Sequence, residues 1–128
     1  TRHIPFLEYN DNAINSFRDF VKKQIYSKNG LLLVAEDFEL VGYLLSYIKP
    51  NIPIFKIKKL GHLSDLYIKK GYRKKGIATK FRDIAFDWFK EQGIKHVSIS
   101  VYPENNVARK IYEKWGFFDF HIEMRKEL

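Results

Sequence analysis

Cysteine is absent from this 128-residue chain. That gap excludes disulfide scaffolds, thiolate metal sites and thiol nucleophiles. Long apolar runs are missing too. The longest, Leu31 to Ala35, is strand-sized, whereas crossing a bilayer takes about 20 residues. No N-terminal signal pattern is present. The expected compartment is therefore the cytosol, with no membrane partner. Acidic residues are outnumbered, 15 against 23 Lys and Arg, for a net charge of +8. What is plentiful is burial material: 45% hydrophobic residues and 16% aromatics, which no disordered chain carries. The length fits one domain over residues 1–128, able to bury about two thirds of its unfolded surface.

The positive charge is concentrated. Between Lys56 and Arg82 stand ten basic residues and one acid, Asp65, so this block carries +9 and the remainder nets about zero. A local basic block implies a local anionic partner: cofactor phosphates, nucleic acid or an acidic membrane surface. A solvated lysine-rich face accounts for the charge equally well.

Hydrophobic spacing predicts the elements. Phe17, Phe20, Val21 and Ile25 predict a helix over 12–27, with Asn12 as its cap. Residues 31–36 and 40–48 read as a hairpin turning at Asp37-Phe38-Glu39. Residues 56–59 are weakly strand-like. Residues 60–69 read as a strand with His62, Ser64, Leu66 and Ile68 on one side and Leu63, Asp65 and Tyr67 on the other, a parity that a bulge would alter. Ile77, Phe81, Ile84, Ala85 and Trp88 form the stripe of a helix over 76–92, and Val97, Ile99 and Val101 alternate in a strand over 95–102. Asn105 precedes a helical stripe of Ala108, Ile111, Tyr112 and Trp115, and 117–125 reads as a last strand. The fold class is mixed α/β: a mostly antiparallel sheet with a central parallel β-α-β pair.

The basic loop lies between a strand and a helix start. There backbone N–H groups lack intrahelical partners and the helix dipole presents its positive end. Arg73-Lys74-Lys75-Gly76-Ile77-Ala78 suits an anion cradle: Gly76 permits close approach, Ala78 is small, and Arg73 can fork onto phosphate. It is neither a Walker loop nor a dinucleotide fingerprint. Alone, the hexapeptide is equally compatible with a basic helix start.

Leu66-Tyr67-Ile68 followed by Arg73-x-x-Gly76-x-Ala78 resembles the acetyl-CoA-binding motif of the GNAT superfamily of N-acetyltransferases. Asn105-x-x-Ala108-x-x-x-Tyr112-x-x-x-Gly116-Phe117 resembles that family's second signature. The two stand in order, separated by a helix and a strand, and the resemblance covers about residues 31–127. Two departures stand out: Ala78 replaces the second motif glycine, and one helix rather than two precedes Leu31.

The resemblance implies the acyl-CoA N-acyltransferase fold and acetyl-CoA as acetyl donor. It also implies backbone pairing of Leu66, Tyr67 and Ile68 with the pantetheine arm, and pyrophosphate binding by the amides of Arg73, Lys74, Lys75, Gly76, Ile77 and Ala78. Asn105 would contact the pantetheine arm, although a plain helix cap explains it too. Tyr112 takes the family's general-acid position; by periodicity alone it is a core aromatic. A phenol with a pKa of about 10 is protonated at pH 7 and can donate to a leaving thiolate. His62 matches a position where members place a base, and a structural histidine is the alternative. Ser100 stands where some members carry a glutamate.

The resulting expectation is acetyl transfer to a primary amine of unknown identity, by direct attack in a ternary complex. Two other readings compete: a basic nucleic-acid-binding module, against which no recognition pattern appears, and a GNAT-like protein that binds CoA without catalysis. No His, Asp and Glu residues have metal-ligand spacing. Sheet edges near the C-terminus could pair between chains to form a dimer.

Overall fold

The computed structural model describes residues 12–128. Its elements are α1 (Ala13–Tyr26), β1 (Gly30–Glu36), β2 (Leu40–Pro50), β3 (Lys59–Ile68), α2 (Ile77–Glu91), β4 (Val97–Ile99) and α3 (Asn106–Lys114). The sheet order is β1-β2-β3-β4. The first two pairings are antiparallel, and β3 runs parallel to β4 across the α2 crossover. The expected mixed α/β class is the one formed.

The core lies between the sheet and α2. Leu44 and Leu63 pack with Phe81, Ala85, Phe89 and Ile94. The stripe of α2 runs through Phe81, Ala85 and Phe89 at steps of four. Ile84, expected on that stripe, is instead 42% exposed. Close approach of α2 rests on Gly61, where a Cβ would stand 2.7 Å from the Phe89 ring. On the opposite face α1 meets the sheet through Phe20, whose ring lies 5.8 Å from Tyr47.

β3 departs from simple alternation. Asp65 pairs with Leu45 and Leu63 with Ser46, leaving Ser64 as an extra residue in a bulge. An inserted residue shifts side-chain parity by one step. Leu63, Leu66 and Ile68 therefore all face the α2 core, while His62 stands beside Tyr47 on the α1 face. The expected grouping of His62 with Leu66 and Ile68 is overturned for this reason.

The bulge also accounts for a short β4. Parallel pairing runs Gly61–Val97, His62–Ser98 and Leu63–Ile99 and stops where β3 bends. The strand expected over 95–102 thus reduces to three residues. Residues 56–58 belong to the loop before β3. The strand expected over 117–125 is not formed. Phe118, Phe120, Ile122 and Met124 alternate as a strand would, yet each is more than 80% exposed. Alternation supplies a face, but a strand needs a ladder, and the edge strand β4 is only three residues long.

Candidate active site

The turn after β3 is built from backbone that few side chains tolerate. Gly71, Lys74 and Gly76 have φ of 97°, 62° and 85°. Gly76 occupies the N-cap of α2 without a side-chain cap, and no acid stands in the first turn. The amides at Ile77 and Ala78 thus begin a helix whose positive end has no capping side chain and no carboxylate in its first turn. A Cβ at Gly76 would meet nothing within 4 Å, so the space before the turn is open. Side chains hold the turn from outside. Arg73 Nε donates to the Ile68 carbonyl at 2.9 Å. That commits one donor of the fork expected to meet phosphate. The Tyr72 hydroxyl donates to Asp37 at 2.6 Å, Lys69 pairs with Glu39, and Lys75 Nζ lies 5.6 Å above the Tyr72 ring.

The end of β3 leads into this turn with one edge open. The Lys69 amide donates to Val41, toward β2. Backbone groups alternate sides along a strand. Those of Leu66 and Ile68 therefore face away from β2, where β4 pairing has already ended at Leu63. Among the described residues no strand pairs there. Tyr67 turns its ring to the α1 face, 5.8 Å from Tyr43. An extended acyl arm could add to this edge as a short strand, its phosphate end reaching the turn.

His62 lies beside the point where β3 and β4 part. It is 9% exposed, and its Nδ1 stands 2.8 Å from Ser98 Oγ. With the Ser98 hydroxyl directed at the Gly61 carbonyl, 3.4 Å away, its oxygen accepts from Nδ1–H and Nε2 keeps a lone pair. That tautomer is assigned from the hydrogen-bond geometry. Burial pushes the imidazole pKa down to about 4, helped by the Lys49 ammonium and opposed by the Asp65 carboxylate. The side chain is thus neutral throughout the physiological range.

Tyr112, in the middle of α3, packs its ring 5.6 Å from Trp115 and 6.3 Å from Phe117. Burial raises its pKa above 10, so the phenol keeps its proton at neutral pH. Asn105 performs the capping role expected of it: its Oδ1 accepts from the Ala108 amide at 3.2 Å. The structure therefore gathers the turn residues and the β3 edge into one continuous track and sets His62 beside the sheet opening. No hydrogen bond or ring contact joins Tyr112 to His62 among the described residues.

Residues 3–117 match the model of the acetyltransferase (GNAT) family. The chain belongs to the GNAT family. It is 29% identical over 96 residues to the uncharacterized N-acetyltransferase YycN of Bacillus subtilis, spanning 75% of this chain and 59% of that relative. The chain thus covers under two thirds of the relative's length. Its fold matches a predicted acetyltransferase of Clostridium acetobutylicum, solved with acetyl-CoA, at a TM-score of 0.76 and 21% identity, over 95% of this chain and 79% of that one. It also matches an aminoglycoside 6'-N-acetyltransferase of Acinetobacter haemolyticus at 0.73 and 18%, over 94% and 85%. At these identities the structural likeness concerns the fold.

Within this GNAT chain, Ser98 is a neighbour of the candidate base that motif reading missed, and Tyr47 is a tyrosine of the kind that could line an acceptor pocket. Both flank His62, across β4 and β2 respectively. The available signal was the β-α-β unit, which places a residue of 97–99 beside His62. The parallel register that selects Ser98 is set only by tertiary pairing.

Proposed function

We propose that this protein transfers an acetyl group from acetyl-CoA to a primary amine by direct attack in a ternary complex. The carrying observation is the track itself, in which a β3 edge that no strand pairs at Leu66 and Ile68, its Ile68 carbonyl held by Arg73 Nε, leads into the uncapped N-terminus of α2. An acetyl-CoA molecule presents a matching order of groups, with amides along the pantetheine arm and then a diphosphate. Backbone donors of Lys74 to Ala78 suit the diphosphate, and Gly76 leaves room for it. Structural neighbours solved with acetyl-CoA or with CoA support the donor.

The reaction forms an amide C–N bond and breaks the thioester C–S bond. The sulfur then requires a proton, and the attacking amine must lose one. Tyr112, held protonated, is the proposed donor to the thiolate. His62 is the proposed acceptor for the amine proton. Its lone pair is present at neutral pH, but a pKa of about 4 makes it a weak base, suited to relaying the proton onward rather than storing it. Asn105 orders the start of α3 and is proposed to face the pantetheine arm. The acceptor is a small molecule, a peptide N-terminus or a lysine side chain. Neighbours that acetylate aminoglycosides support an amine-bearing acceptor.

Thermal unfolding with and without acetyl-CoA tests the reading. Ligand at 100 times its Kd adds about 2.7 kcal/mol to stability. No shift at millimolar acetyl-CoA overturns the assignment. A panel of amines assayed for thiol release then identifies the acceptor class. With that acceptor, Tyr112→Phe is expected to lower kcat about a hundredfold while acetyl-CoA still shifts the melting temperature. An unchanged kcat removes Tyr112 as the acid.

A further inference from the structure

The two acidic residues at the tip of the β1–β2 hairpin sit where an anion-binding site would least favour them. Asp37 and Glu39 both contact the turn that is proposed to bind the cofactor's diphosphate. Each carboxylate there repels a phosphate, so some other gain is needed to explain the arrangement. The contacts supply one. The turn over 69–76 contains three left-handed residues and has few anchors of its own. The Lys69 amide bonds to Val41, Tyr72 N bonds to the Lys69 carbonyl, and Arg73 bonds back to Ile68. The first ties the start of the turn to β2, and the others tie it to the end of β3 or to itself. Two side-chain contacts reach across from the turn to the hairpin tip: Lys69 with Glu39 and Tyr72 with Asp37.

We propose that Asp37 and Tyr72 form a latch that fixes the outer side of the anion-binding turn, and that the β1–β2 hairpin tip thereby positions the amides of Lys74 to Ala78 for the cofactor's diphosphate. This rests on the acetyl-CoA reading above. The geometry has two further parts. Lys69 neutralises Glu39, which leaves Asp37 as the one carboxylate whose charge the latch tolerates. The Tyr72 ring also supports the Lys75 ammonium at 5.6 Å, so the same side chain places a cation beside the turn. The hairpin tip that carries Asp37 is a tight turn. The Asp37 amide donates to the Glu39 carbonyl at 2.9 Å, and Phe38 holds φ at 62°. Tyr72 and Asp37 touch no reacting atom in this account and are positioning residues.

Charge and hydrogen bonding at Asp37 separate cleanly by substitution. Asp37→Asn keeps an oxygen that accepts from the Tyr72 hydroxyl and removes the negative charge. Asp37→Ala removes both, and Tyr72→Phe removes the donor while keeping the ring under Lys75. Calorimetric titration with acetyl-CoA, together with melting temperatures of the free proteins, reads the outcome. Asp37→Ala and Tyr72→Phe are expected to weaken acetyl-CoA roughly three- to tenfold, with melting temperatures close to the parent's because both residues lie at the surface. Asp37→Asn is expected to bind at least as tightly as the parent. A merely structural role would lower the melting temperature of Asp37→Ala and Tyr72→Phe, whereas positioning lowers the affinity alone.

If the parent binds acetyl-CoA and Asp37→Ala and Tyr72→Phe bind it equally well, the latch is overturned and the transferase reading stands. The latch is likewise overturned if Asp37→Asn is as impaired as Asp37→Ala. If the parent itself shows no binding, both fall together.

Discussion

His62 carries the sharpest electrostatic consequence at the scale of a single residue. An unfolded imidazole titrates near 6.5, while the buried one titrates near 4. Between those values the unfolded chain binds a proton that the native state refuses. Stability therefore rises with pH through this window, is fully present above about pH 6.5, and is lost as pH falls toward 4. The whole shift corresponds to at most about 3 kcal/mol. His62→Asn is expected to flatten this part of the curve, read as the change in melting temperature between pH 7 and pH 5. An equally steep loss in the variant would show that other groups set the acid sensitivity. His62 was legible as a candidate base from its spacing to Ile68. Its depressed pKa was not, because burial beneath Tyr47 and beside Ser98 depends on partners from β2 and β4.

At the scale of elements, β3 and α2 pack closely. The Phe89 ring lies over Gly61, where a Cβ would approach it to 2.7 Å. Phe89 is 1% exposed and has nowhere to retreat. Gly61→Ala is expected to destabilise the fold by about 2 kcal/mol through overpacking, measured by urea unfolding. A change within 0.5 kcal/mol would mean that α2 shifts freely on the sheet. Helix stripes and caps were the most readable features here. Asn105 caps α3 as its residue type and position suggest, and α2 lies within a residue of its expected limits. The stripe of α2 was misdrawn at Ile84, which is exposed; Trp88 packs against the core as expected, and Phe89 joins it as the side chain buried over Gly61. Strand lengths were less readable. The bulge at Ser64 has no Gly or Pro to announce it, and it shortens β4 while freeing the edge of β3.

For the whole molecule, the distribution of charge governs encounter with an anionic ligand. The +9 block over Lys56–Arg82 includes the entire turn after β3. Exposed charges act over roughly 10 Å at 0.1 M salt and much less as salt rises. Acetyl-CoA affinity is expected to fall by about tenfold between roughly 0.05 and 0.5 M sodium chloride, measured by calorimetric titration. Affinity independent of salt would confine recognition to the backbone amides and leave the lysines as a solvated face.

The amino-acid order by itself determined the succession of helices and strands, the basic turn before α2 and the family resemblance. These are consequences of local spacing, and neighbours along the chain enforce them. Only the tertiary structure decided which face of β3 carries His62, where β3 and β4 part, and that the hairpin tip reaches the turn. It also left the alternating segment after Gly116 without a strand to join. Each of these depends on pairing between distant residues, where a shift of one position reverses the faces, and no local pattern specifies that register.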